Sequence, residues 1–174
     1  LKEGALLTNV FNRLARSVLY EAKNNFNGAI PLDAPVPEVV ALVQETLAAY
    51  DKLMKKAELH SVMSIMDDFI RKANKHWADG IKAADGNEDV AARRQVLADS
   101  AYLLWVSALL MHPIVPTGCE QICSYLDFDA KGFFSWDHDF LTLSELAKGE
   151  TDHPVRELAP RADFFKKHPS QYKK

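Results

Sequence analysis

Cysteine is scarce in this chain: Cys119 and Cys123 are the only two. At i,i+4 on a helix their side chains would be neighbours. A disulfide between them would strain the helix, and two thiols alone do not make a zinc site. They read as free, packed thiols of a reducing compartment, so the expected location is cytoplasmic. Long apolar runs are also missing. The longest, Ala101 to Met111, is too short for the ~20 residues of a membrane span. It reads as a buried core helix, no membrane partner is expected, and no signal peptide is visible. Nor is there a surplus of positive charge: 21 basic residues face 24 acidic ones, for a net charge of −3. A dedicated non-specific nucleic-acid binder would be basic. DNA is therefore not an expected partner, and any RNA role must rest on a local patch.

Catalytic signatures are absent as well. No phosphate-cradling glycine loop, no His-Glu-x-x-His and no nucleophile elbow occurs. Glu150-Thr151-Asp152-His153 matches a Glu-x-x-His spacing once, but a di-iron bundle needs that pair on two facing helices. Asp137-His138-Asp139 reads as a solvated turn. His60, His76 and His112 have no cysteine or carboxylate at ligand spacing. Neither a metal site nor a catalytic constellation is expected, and the chain itself needs no cofactor. The chain starts at Leu1 rather than Met, so it is expected to be an excerpt of a longer protein.

What is present is core. Apolar residues make up 48% of 174, which argues against disorder. The stretch Leu7 to Lys23 organises the rest. At ~100° per residue, Leu7, Val10, Phe11, Leu14, Val18 and Ala22 share one side of a helix. Asn9, Arg13, Arg16, Tyr20 and Lys23 line up on the other. A solvated face usually mixes its signs; here only Glu21 is acidic, and it sits off that row. The row reads as a set of long donors, with an aromatic among them, kept for an anionic partner.

Further helices follow in order. Asn27-Gly28 closes the first, and Pro31, Pro35 and Pro37 mark an extended link. A second helix is predicted from Val39 through Met54, with a turn near Lys55 to Glu58. A third carries Leu59, Val62, Met63, Met66, Phe69, Ile70, Ala73 and Trp77 inward; Gly80 and Gly86 punctuate what comes after. Trp77 reads either as core packing or as a stacking platform for an unpaired base. Asn87 or Asp85 could cap a fourth helix that turns apolar all round from Val96 to Met111, the mark of a central helix. Pro113 and Pro116 stop it, and Thr117-Gly118-Cys119-Glu120 reads as a capping box opening a fifth. From Asp127 the pattern loses its period while Phe133, Phe134, Trp136, Phe140, Phe164 and Phe165 accumulate. The expected fold is all-α: a bundle of about five helices over residues 1–126, with an aromatic-rich appendage over 127–174 that packs back on it, partly without regular structure.

The order of these landmarks resembles the anticodon-binding domain of class I aminoacyl-tRNA synthetases, most closely methionyl-tRNA synthetase. Asn9-Val10-Phe11-Asn12-Arg13 is similar to the Asn-x-x-x-Arg of the methionine enzymes. Asn27-Gly28 with Pro31 resembles the family's turn after that helix, and Ala73-Asn74-Lys75-His76 its Ala-Asn-Lys/Arg-Tyr segment. Leu109-Leu110-Met111-His112-Pro113-Ile114-Val115-Pro116-Thr117-Gly118-Cys119-Glu120-Gln121-Ile122 resembles its Leu-Leu-x-Pro-Phe-Met-Pro-x-Thr-Ala-Glu-x-Ile break. Two departures stand out. Where the family closes an Ala-Pro-Trp segment, this sequence has Ile81-Lys82-Ala83-Ala84, and where many members end Leu-Phe-Pro-Arg-Ile it has Phe164-Phe165-Lys166-Lys167.

The resemblance implies a helical bundle that receives a tRNA anticodon loop, with Asn9 and Arg13 contacting anticodon bases. Arg16, Tyr20, Lys23 and Trp77 become possible further tRNA contacts. It also implies a parent that is an ATP-dependent methionine–tRNA ligase, with ATP and Mg in a catalytic domain upstream of Leu1 and a tRNA of methionine type as partner. This chain by itself would catalyse nothing. The alternative expectation is a non-catalytic helical protein-interaction or scaffold module whose polar row is merely solvated.

Overall fold

The computed structural model describes residues 2–136, 143–167 and 169. The opening helix is wound in three pieces: α1 (Lys2–Ala5), a π segment (Leu6–Phe11) and α2 (Asn12–Asn25). After Asn27 and Gly28, both in the left-handed region, a short strand β1 (Ala29–Pro31) leads to α3 (Pro37–Lys55), with Pro37 in the first turn. The turn at Lys56–Glu58 passes through a left-handed Ala57. Then come α4 (Leu59–Asn87), α5 (Val90–Met111), α6 (Pro116–Leu126) and the single turn α7 (Ala130–Phe133). The all-α reading holds; the described residues add only one strand pair, β1 with β2 (Asp152–Pro154), antiparallel with Ile30 opposite His153.

α5 is the axis of the bundle. Every residue from Val96 to Met111 is buried, which is why its sequence is apolar all round. α4 packs along it, aided by Gly80: a Cβ there would stand 2.5 Å from Val96 Cγ2. Gly80 and Gly86, expected to punctuate this region, both lie inside α4 instead; at Gly80 close approach to α5 offsets the ~1 kcal/mol helix penalty of glycine, whereas Gly86 faces open space. The cap of α5 also differs from expectation. Asp89, not Asn87 or Asp85, accepts the Ala92 amide at 2.9 Å, and Asp85 pairs with Arg93.

Buried polar groups in the bundle core are chiefly hydrogen-bonded. Asp99 of α5 accepts from the Val36 amide at 3.1 Å and from Gln95 at 3.0 Å, and stands 2.9 Å from His76 Nε2. It thereby ties α3, α4 and α5 at one point. Tyr50 donates to Leu110 O at 2.7 Å and Trp105 Nε1 to Phe133 O at 3.0 Å. The expected capping box of α6 does not form. Val115 takes the cap position with Pro116 behind it, and Glu120 faces His112 Nε2 at 3.2 Å.

The chain after Asp127 is seated mainly by backbone and aromatic contacts. β2 runs beside β1, Val155 N donates to Gly28 O, and Arg156 reaches Asp127 and Ser124. His153 stacks on Phe128 with centroids 4.1 Å apart and lies 3.0 Å from Leu126 O. Phe164 and Phe165 join the main core. Asp137-His138-Asp139 and Phe140 lie outside the described residues. Among the described residues no group of three potential metal ligands forms, and no helix is long and apolar enough to cross a membrane.

Candidate nucleic-acid interface

The polar row on the opening helix is real, but the structure divides it. Its C-terminal three members meet the last segment of the chain. Arg16 pairs with Asp163 at 2.7 Å, and Lys23 pairs with Glu157. The Tyr20 hydroxyl donates to Ala159 O at 3.0 Å and accepts the Arg161 amide at 3.2 Å. Asn12, between them and the core, is 1% exposed. Its Oδ1 accepts the amides of Phe164 and Phe165 at 2.9 and 3.0 Å, and its Nδ2 donates to Phe165 O at 2.8 Å. The helix wheel places Asn12 on the polar side; it is buried because the tail, not the bundle, covers it.

The other two members, Asn9 and Arg13, stand clear of the tail. Both are exposed and line a cleft of about 430 Å³ between the opening helix and α4, with Val10, Arg71, Asn74, Lys75 and Ala78. The charge here is asymmetric. Arg71 is held by Asp67 at 2.8 Å and Lys75 by Asp79 at 2.5 Å, each one helical turn away. Arg13 has no carboxylate partner among the described residues. A guanidinium with its donors unspent, beside a carboxamide that both donates and accepts, can grip the edge of a flat polar ring.

Trp77 is partly buried against the core, one turn beyond Ala73 on α4. Ala83, at the place where the resemblance puts a Trp, is exposed. Sequence reasoning missed Asn74 as a cleft residue in its own right. Its Nδ2 donates to Val10 O and Ile70 O, both at 3.0 Å. The Asn-Lys-His segment was the available signal, but nothing in it says that Asn74 meets the opening helix.

No family model matches the chain. A methionine–tRNA ligase from Methanoculleus marisnigri is 26% identical over 110 residues, which is 63% of this chain and 16% of that protein. The apo methionyl-tRNA synthetase of Mycobacterium tuberculosis superposes with a TM-score of 0.68 at 19% identity, over 92% of this chain and 32% of that one. The chain resembles methionyl-tRNA synthetase. The same M. tuberculosis enzyme in complex with methionyl-adenylate superposes with a TM-score of 0.60 at 18% identity, over 91% of this chain and 31% of that one. The likeness to the solved structures is one of fold, and the chain spans a minor part of its relatives' length, 16% of the ligase and about a third of the synthetase.

Proposed function

We propose that this chain is the anticodon-binding domain of a methionine–tRNA ligase or a related class I synthetase, and that it positions tRNA for aminoacylation by a catalytic domain outside the chain. One observation carries the reading. Asn9 and Arg13 share an open cleft in which, among the described residues, Arg13 has no carboxylate partner while Arg71 and Lys75 are paired. Such a pair suits the splayed bases of a single-stranded loop, which offer their edges to amide and guanidinium groups. The net charge of −3 fits a small local contact, not a broad electrostatic face. The parent's ATP, its Mg and its choice of methionine-type tRNA belong to the same proposal.

The test is direct binding of an RNA hairpin carrying a methionine-type anticodon loop, followed over a salt series. Arg13→Ala should weaken binding by about 1–3 kcal/mol and blunt the preference for that loop. An unchanged Kd would remove Arg13 from the site. Binding by the wild type that is absent, or indifferent to salt, would instead favour a module that docks a protein partner by apolar contact.

A further inference from the structure

Between Asn9 and Arg13 the opening helix changes its winding. The Asn12 amide donates to Leu7 O, five residues back, while from Asn12 onward the helix is α. Where a five-residue ladder returns to a four-residue one, a carbonyl is left over. The Asn12 amide is spent on Leu7, and Phe11 O accepts the first bond of α2. The carbonyls of Thr8, Asn9 and Val10 then have only the amides of Arg13 and Leu14 to share. Two asparagine side chains sit at this shortfall. Asn12 Nδ2 donates to Thr8 O at 3.2 Å, and Asn74 Nδ2 donates to Val10 O at 3.0 Å from a helix 64 residues further on.

The Asn74 amide is committed to this task. Its nitrogen faces two carbonyls, Val10 O and Ile70 O, which fixes its orientation, and its Oδ1 is buried with no hydrogen-bond partner among the described residues. A buried orphan acceptor destabilises the fold, so stability alone does not explain the amide there. The geometry around it matters more. One residue inserted into an α-helix turns everything before it by ~100° relative to everything after it. Reversion of the π segment to α winding would keep Asn9 beside Arg13 but turn it by ~100°, from one flank of the guanidinium to the other.

We infer that Asn74 is a positioning residue: its amide pins the π-to-α junction and so sets the angle between Asn9 and Arg13 in the cleft. The functional half of this statement rests on the cleft being a nucleobase site; the conformational half does not.

The experiment compares wild type with Asn74→Ala and Asn74→Asp, the latter keeping the shape but lacking the donor. Two quantities are read. One is the ratio of affinities for RNA hairpins with loop triplets CAU and UAC, with the salt slope measured alongside. The other is amide hydrogen exchange from Asn12 to Leu14 by NMR. Loss of the pin should lower the affinity ratio about tenfold toward unity, and in Asn74→Ala, which adds no charge beside Arg13, it should leave the salt slope unchanged, because a base edge and not a phosphate is lost. Exchange at the junction should accelerate about tenfold or more as the segment opens locally. A merely destabilised fold would weaken both hairpins alike. Variants that keep both the ratio and the exchange rates of wild type would overturn the inference. If the wild type itself does not discriminate between hairpins, the nucleobase reading fails. The exchange data then decide the pin by themselves: unchanged rates overturn it and faster rates support it. If Asn74→Ala does not fold, Asn74→Asp decides in the same way.

Discussion

The carboxylate of Asp163 lies 2.7 Å from the guanidinium of Arg16, 147 residues away in the chain. Glu157 holds Lys23 in the same fashion. The tail thus neutralises two cations that the opening helix would otherwise present beside Arg13. Both pairs are substantially exposed, so their own contribution to stability is about 0–1 kcal/mol. Their effect on an anionic ligand is larger, because they set how many positive charges it can meet.

Glu157→Ala with Asp163→Ala should therefore tighten binding of an anticodon hairpin and steepen its salt dependence. Two freed cations that each reach a phosphate add up to about 1.4 to the slope of log K against log salt for single-stranded RNA. A salt titration by fluorescence anisotropy reads this directly. An unchanged slope would mean that RNA does not approach the Arg16–Lys23 stretch at all. The binding surface would then end at Arg13.

Asn12 should be the most sensitive polar position on the opening helix. It is 1% exposed and makes three hydrogen bonds to the backbone of Phe164 and Phe165. Asn12→Ala leaves two buried amides and a buried carbonyl unpaired and should cost about 2–4 kcal/mol. Urea denaturation measures the loss, and limited proteolysis should show cleavage opening within the last segment. A loss under about 0.5 kcal/mol, the scale of a neutral surface change, would show that water replaces these bonds freely.

Gly118 offers a sharper packing test. A Cβ there would stand 2.1 Å from Cε1 of Phe165, whose ring stacks on Phe11 with centroids 4.9 Å apart. On an exposed helix Gly→Ala gains about 1 kcal/mol. Here Gly118→Ala should instead lose about 1–3 kcal/mol, because the ring must leave its slot. Phe165→Ala alone should cost about 3–5 kcal/mol as a large-to-small core change. In the double variant the clash has no partner, so the two losses should fall short of their sum by about 1 kcal/mol or more. Strict additivity would separate Gly118 from the ring.

These positions also show where the sequence stops being legible. The apolar stripes of α3 and α4 and the run in α5 announce themselves because a helix repeats its inward positions locally. The pairing of Asn9 with Arg13 follows from the same periodicity. The fate of Arg16, Tyr20 and Lys23 does not, since their partners lie at the far end of the chain and carry no periodic signal. The burial of Asn12 is hidden for the same reason, since the backbone it bonds belongs to Phe164 and Phe165. The π segment leaves no mark either, because Leu6–Phe11 reads as an ordinary α stripe. Gly80 looked like a break when it is a point of contact with Val96.

Alkaline pH should destabilise the bundle through three buried acids. Burial pushes the Tyr50 hydroxyl from 10.0 up to about 12, and burial, aided by Asp129 and Glu120, pushes the Cys123 thiol from 9.0 to about 12. The Cys119 thiol is raised further, again chiefly by burial. Each group is neutral in the fold at a pH where the unfolded chain has already lost its proton. The unfolded state then binds fewer protons than the native one, and stability falls as pH rises. Their full contribution is present below about pH 9, begins to fade as unfolded thiols ionise, and fades faster once unfolded Tyr50 ionises above about pH 10. Urea midpoints measured from pH 8 to 11 should therefore decline, first gently and then steeply. Cys119→Ala with Cys123→Ala should flatten the decline below about pH 10 and leave only the Tyr50 share of it above, because the native thiols hold their protons across that whole range. Tyr50→Phe should leave the first part and remove only the later steepening, after an initial loss of about 1 kcal/mol for the Leu110 carbonyl it abandons. Profiles that superimpose after subtraction of the starting midpoint would mean that other groups, such as surface lysines losing their carboxylate pairs, govern the alkaline limb.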